Sequence, residues 1–208
     1  MEAPKSTKPA FILTAALAMA CLALAVVASV TLRAQTSGDG PRYTNGTNLV
    51  FPDDYREWMF LSSGLSMTYE EEGDGSEAGL RVFQNVFVNP SSYHAFMETG
   101  TWPDGTIFVL EFRRAGTEAS INRAGRFQTD LVMLEAEVKD SRFEDGWAFF
   151  DLGPANDLRE TAAPLTGERV ARCIECHTKH TAVERTFVQF YPTLLEVARA
   201  KGTLKPGF

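Results

Sequence analysis

Cys173-Ile174-Glu175-Cys176-His177 places two thiols three positions apart, with an imidazole directly after the second. That spacing suits covalent attachment of a c-type haem: the thiols add to the two vinyl groups, and the adjacent histidine falls beneath the iron as its proximal ligand. Other chemistries of a CxxC make further demands. A redox disulfide sits at the start of a helix after a strand, in a βαβ pattern that this chain does not show. A structural zinc site needs two more Cys or His ligands. The only other cysteine is Cys21, inside an N-terminal apolar run, and the other histidines are His94 and His180. The expected cofactor is therefore one haem c, covalent through Cys173 and Cys176, with His177 as the metal ligand; zinc is the remaining alternative.

In bacteria, c-type haem is attached outside the cytoplasmic membrane, so such a chain has to be exported. Lys5 and Lys8 precede an apolar run from Pro9 to Leu32, the pattern of an export signal. The run also reaches the ~20 apolar residues that span a bilayer. Residues 1–34 thus read either as a signal peptide, cleaved after Ala28 or Ala34, or as an N-terminal membrane anchor formed by residues 9–32. Lys5 and Lys8 stay inside under the positive-inside rule, which leaves everything beyond Arg33 in the periplasm, secreted or tethered.

Setting aside residues 1–34 removes Lys5, Lys8, Arg33 and Glu2 and leaves 17 basic and 26 acidic side chains, a net charge of −9. Such a surface repels phosphates, which excludes nucleic acid as the expected partner and leaves room for a basic redox partner such as another cytochrome. The exported part suits one domain with a substantial core. Gln35 to Asn48 is rich in Ser, Gly, Asp, Pro and Asn without hydrophobic periodicity and reads as a flexible linker. Residues 49–208 then form the haem domain.

The elements that must position the motif are mostly extended. Trp58–Leu65, Leu80–Val88, Thr106–Arg113, Phe127–Val138 and Trp147–Leu152 are β-branched, aromatic and apolar runs bounded by turn residues. Glu70–Gly79 and Gly116–Gly125 read as loops between them, and Trp102-Pro103-Asp104-Gly105 as a turn. A short helix capped by Ser91 or Ser92 is expected to stop at Gly100, with two more from about Thr166 into the CxxCH and from Pro192 to Lys201. The expected fold is α+β and mainly β: an antiparallel sheet of about five strands, a few short helices and a C-terminal haem-binding helix.

Several segments together resemble the cytochrome P-460 family. They are Tyr55-Arg56-Glu57-Trp58, Val88-Asn89-Pro90, Asp104-Gly105-Thr106, Leu134-Glu135-Ala136-Glu137-Val138-Lys139-Asp140, Gly146-Trp147-Ala148-Phe149-Phe150, and the CxxCH followed by Phe187-Val188-Gln189-Phe190-Tyr191-Pro192. The resemblance implies a β-rich homodimer with one covalent haem per subunit, a proximal histidine and a vacant distal site. The family's hydroxylamine-oxidising members bond a lysine to a haem meso carbon; counted from Asp104, that position here is Leu110, which has no nucleophilic nitrogen. Lys139 belongs to a shared segment and is not the equivalent lysine. The chain is thus more similar to the uncrosslinked beta-type cytochromes c prime, which bind nitric oxide and similar small ligands in an apolar distal pocket.

With Leu110 facing the haem, a period of two puts Thr106, Phe108 and Phe112 on the same face. Phe60 on the first strand reads either as part of this wall, in keeping with the phenylalanine cap of the beta-type relatives, or as simple core. Gln84 reads either as a donor to an iron-bound ligand or as a water-facing amide at the sheet edge. Glu111 and Arg113 fall on the opposite face and read as a solvated pair. Met59, Met67, Met97 and Met133 read as core. Three functions follow: capture of nitric oxide or a similar small ligand at a five-coordinate haem, oxidation of hydroxylamine or nitric oxide, and electron transfer.

Overall fold

Thr106-Ile107-Phe108-Val109 is buried at every position because its strand is covered on both faces. The computed structural model describes residues 38–67 and 81–208. The signal or anchor expected over 1–34 and the stretch Glu70–Gly79 lie outside the described residues. Among the described residues, no helix is long and apolar enough to cross a membrane.

The strands are β1 (Tyr43–Thr44), β2 (Asn48–Val50), β3 (Met59–Leu65), β4 (Val82–Val88), β5 (Thr106–Gly116), β6 (Phe127–Lys139), β7 (Trp147–Pro154) and β8 (Thr161–Ala162). β3 to β7 pair with their chain neighbours into a five-stranded antiparallel sheet, while β1, β2 and β8 form a second sheet of three. Helices α1 (Pro90–Thr99), α2 (Gly167–Lys179) and α3 (Pro192–Lys201) complete a mainly β α+β fold. The three-stranded sheet is an addition to the sequence reading, since strands of two or three residues carry no periodicity to detect.

Each face of the large sheet has its own core. Ile107, Val109, Leu134, Val138 and Phe150 pack with Leu49 of β2 and Ala162 of β8. On the other face Phe108, Val88 and Trp147 meet Phe96 of α1, Trp102, and Leu194 and Ala198 of α3. Burying one large apolar side chain such as Phe96 or Phe150, each at most 1 % exposed, stabilises by about 1.5–3 kcal/mol.

Asp39 and Tyr43, read from sequence as linker, belong to the compact unit Asp39–Phe208. The Asp39 carboxylate accepts from the Ser91 backbone N–H at 2.7 Å and from the Ser91 hydroxyl. It thus does at the start of α1 what Ser91 or Ser92 was expected to do; Pro90 occupies the first turn and no side-chain cap comes from the helix's own N-cap, Asn89. At the other end Gly100 adopts φ 78°, a left-handed conformation that suits glycine.

Candidate haem site

A cleft open to solvent, about 880 Å³ with its mouth included, lies on the helix side of the large sheet. Its floor is set by strand register. Val86 pairs with Leu110 and Leu110 with Glu135, while Val88, Phe108, Glu137 and Phe149 form the adjacent row. Side chains in such rows share a face, so Val86, Leu110, Phe108 and Phe149 give the cleft an apolar floor and Glu135 and Glu137 add two carboxyls to it.

His177 enters the cleft from α2. Its ring is held edge-on between Phe149 and Phe187, with ring centroids 4.8 Å away on each side. Nδ1 lies 2.8 Å from the Arg185 carbonyl oxygen and 3.1 Å from Glu137 Oε1. The chain returns Arg185 to this place through a loop that is tied at several points. The Thr181 hydroxyl donates to the His177 carbonyl, Thr186 accepts from Trp102 Nε1 at 2.8 Å, and Gln189 bonds the backbones of Ala182 and His180. Burial disfavours a charged His177, but Glu137 and the Arg185 carbonyl outweigh it and raise the pKa. Glu137 and Glu135 are both raised, chiefly by burial.

Cys173 and Cys176 are free thiols on α2 and partly buried. They sit within the helix rather than at its start, and burial raises both pKa values, with Glu135 and Glu137 adding to the effect at Cys173 and Glu175 at Cys176. A redox-active CxxC has the reverse character, a lowered pKa. Among the described residues, no three His, Cys, Asp or Glu gather into a group that could hold a metal ion, so the zinc alternative finds no ligand set there. A haem does fit. The Arg185 carbonyl accepts the proton on Nδ1, which leaves Nε2 as the nitrogen that could ligate an iron, and a hydrogen bond that fixes the far ring nitrogen in this way is usual for a metal-bound imidazole.

Of the distal residues expected from sequence, Leu110, Phe108 and Gln84 line the cleft. Phe112 shares their face, opposite Gln84, but lies beyond the lining residues. Phe60 is on the other face: the register shifts between Phe60 and Ser62, so Phe60 pairs with Phe87 and packs edge-on against it at 5.6 Å, 54 % exposed to solvent. Phe60 is therefore not part of the cleft wall that the resemblance implied, and the bulge that follows it gives Ser62 the opposite face. Thr106 is buried, and its hydroxyl donates to the Pro103 carbonyl.

Gln84 has a third role. Its amide donates to the Met67 carbonyl and accepts from the Met67 N–H, both at 3.1 Å. Met67, read as core, instead lines the cleft at 40 % exposure. Gly64 makes this possible, because a Cβ there would lie 2.3 Å from the Met67 sulfur. Met59 and Met97 do pack against the core.

Among the described residues, no lysine lines the cleft. Lys139 is committed elsewhere, donating to Glu184 Oε1 at 2.6 Å and to the Trp102 carbonyl at 2.7 Å. His94 and His180 are exposed. Glu135 and Glu137 were missed as site residues: alternation on β6 reads as a strand with glutamates toward water. The usable signal was their register, directly opposite Leu110 and Phe108.

Comparison with protein-family models matches residues 52–188 to the cytochrome P460 family. No curated protein matches the chain.

Proposed function

The chain belongs to the cytochrome P460 family and is a haem-binding cytochrome, and on that premise we propose that it holds one c-type haem and captures nitric oxide or a similar small uncharged ligand. In this reading Cys173 and Cys176 would hold the haem through thioethers, and His177 Nε2 would ligate its iron and leave it able to take up a small ligand. When bound, the haem supplies an iron that takes up the ligand and exchanges one electron.

The observation that carries the reading is the environment of His177, whose Nδ1 is held by the Arg185 carbonyl within a mostly apolar cleft. The residues divide the work. Arg185, Phe149 and Phe187 fix the imidazole plane, so the ring reaches the metal with no rotamer search. Leu110, Phe108 and Val86 exclude water and offer no donor to hydroxide or superoxide, which favours a diatomic ligand without charge. Export, as a secreted or membrane-tethered periplasmic protein, and a homodimeric state belong to the same reading.

A second reading, oxidation of hydroxylamine or nitric oxide, is favoured by Glu135. This carboxyl lines the cleft, and its raised pKa makes its carboxylate form a stronger base than an ordinary glutamate. Removing electrons from hydroxylamine also releases protons, and Glu135 can accept and pass them. Leu110 counts against this reading.

The deciding experiment uses the exported domain matured with c-type haem machinery. A high-spin ferrous spectrum with an ordinary c-type Soret band, followed by stoichiometric nitric oxide binding, is expected. Failure of the ferrous protein to bind nitric oxide would overturn the first reading; a strongly red-shifted Soret band with hydroxylamine turnover would establish the second.

A further inference from the structure

Glu137 Oε1 is buried, lies 3.1 Å from His177 Nδ1, and has no aligned hydrogen-bond donor among the described residues. A buried carboxylate oxygen without a donor is destabilising by an amount comparable with a lost charged hydrogen bond. The Arg185 guanidinium acts on it through charge, while the proton on Nδ1 points to the Arg185 carbonyl at 2.8 Å. One N–H thus has two acceptors, one neutral and one acidic, at distances that differ by a few tenths of an ångström. Glu137 cannot drift away, since β6 is locked between Phe108 of β5 and Phe149 of β7 in the ladder.

We propose that Glu137 is the positioning residue that sets the donor strength of the proximal histidine, by sharing the Nδ1 proton with the Arg185 carbonyl. The inference rests on His177 being the axial ligand. A carboxylate acceptor draws the proton from Nδ1 and gives the imidazole imidazolate character, whereas a carbonyl leaves it neutral. The stronger donor tightens the iron–histidine bond and stabilises the ferric state. It also resists the loss of that bond when a strongly bonding ligand such as nitric oxide occupies the opposite side. Glu137 touches neither ligand nor iron; it acts through His177.

The test is resonance Raman spectroscopy of the ferrous haem protein, with its midpoint potential, for the wild type and Glu137→Gln. Glutamine keeps the shape and a neutral oxygen but removes the charge. The expected result is a lower iron–histidine stretching frequency and a higher potential in the variant, with haem content unchanged. An unchanged frequency and potential would overturn the inference while leaving His177 as the ligand. Should Glu137→Gln fail to accumulate with haem, Glu137→Asp decides: it withdraws the carboxylate from Nδ1, and a lowered frequency supports the inference where a wild-type one overturns it. A wild-type protein with no iron–histidine band would overturn the axial-ligand reading itself, and this inference with it.

Discussion

Tyr55 Oη donates to Glu111 Oε2 at 2.7 Å, on the face of the large sheet that turns away from the cleft. Glu111 is 1 % exposed, and it also accepts from Arg56 at 2.6 Å, Arg113 at 2.8 Å and Asn85 at 2.9 Å. Burial pushes its pKa up, but the hydrogen bonds from Arg113, Tyr55 and Asn85, with the Arg113 charge, outweigh it and hold the carboxyl at about 2 against 4.5 unperturbed. The folded state therefore binds fewer protons than the unfolded one. The stability from this group is complete above the unfolded value and drains away as pH falls from about 4.5 toward 2. The shift corresponds to roughly 3 kcal/mol. Glu111→Gln is expected to destabilise by about 2–4 kcal/mol at pH 7 and to flatten the acid limb of the stability curve, with the haem spectrum unchanged. Urea denaturation at pH 7 and pH 3 checks this; an acid limb as steep in the variant as in the wild type would refute it.

Asp39 reaches the start of α1 from 52 residues away, and its carboxylate meets both the backbone N–H and the hydroxyl of Ser91. It satisfies donors that the helix leaves open and places negative charge at the positive end of the dipole. Asp39→Ala is expected to lose about 1 kcal/mol, a fall in Tm of about 2–4 °C for a chain of this size. Asp39→Asn should recover part of it. Thermal melts of the three proteins measure the effect, and an Asn variant no better than Ala would show that the cap hydrogen bond contributes nothing.

The large sheet was legible in the sequence because its strands are long and its turns carry glycine and proline: Val82–Val88, Thr106–Gly116 and Trp147–Pro154 lie close to the expected runs. Membership of the site was less legible, for three physical reasons. The bulge after Phe60 changes the parity of β3, and a bulge leaves no mark in composition. Glu111 and Arg113 looked solvated because the cover over them, Tyr55 and Arg56, comes from a 3-10 turn more than 50 residues earlier. Glu135 and Glu137 face the cleft because both faces of the sheet are covered, which one strand's alternation cannot reveal. The helix that carries the motif was legible because its signals are local: α2 holds Cys173, Cys176 and His177 within two turns.

Gln84 ties the backbone of Met67 across the mouth of the cleft with two hydrogen bonds. Gln84→Ala frees that segment while leaving the apolar floor intact. Carbon monoxide should then associate with the ferrous haem severalfold faster in flash photolysis. The stability change should stay within about 1 kcal/mol, because both bonds are exposed and water replaces them. An unchanged association rate would show that ligands do not pass Met67.

Leu110 pairs across the ladder with Glu135, so a lysine at 110 would project onto the cavity face beside a carboxyl. That pairing makes Leu110→Lys tolerable: the ammonium gains a partner, and Glu135, whose pKa burial raises, gains a counter-charge. Position 110 is taken to stand at the haem edge, as the resemblance to the crosslinked relatives implies. With peroxide as the two-electron oxidant, the introduced amine is expected to bond to the macrocycle, shift the ferrous Soret band strongly to the red and bring hydroxylamine turnover with an artificial acceptor. The substitution also puts a polar stem into an apolar floor, at an expected loss of about 1–3 kcal/mol. Thermal unfolding of the holoprotein measures that loss separately from the chemistry. A variant that incorporates haem, stays folded and keeps an ordinary c-type Soret band after peroxide treatment would mean that Leu110 does not face the macrocycle edge. Its leucine would then be a packing residue, and the identity of position 110 could no longer separate ligand capture from hydroxylamine oxidation in this chain.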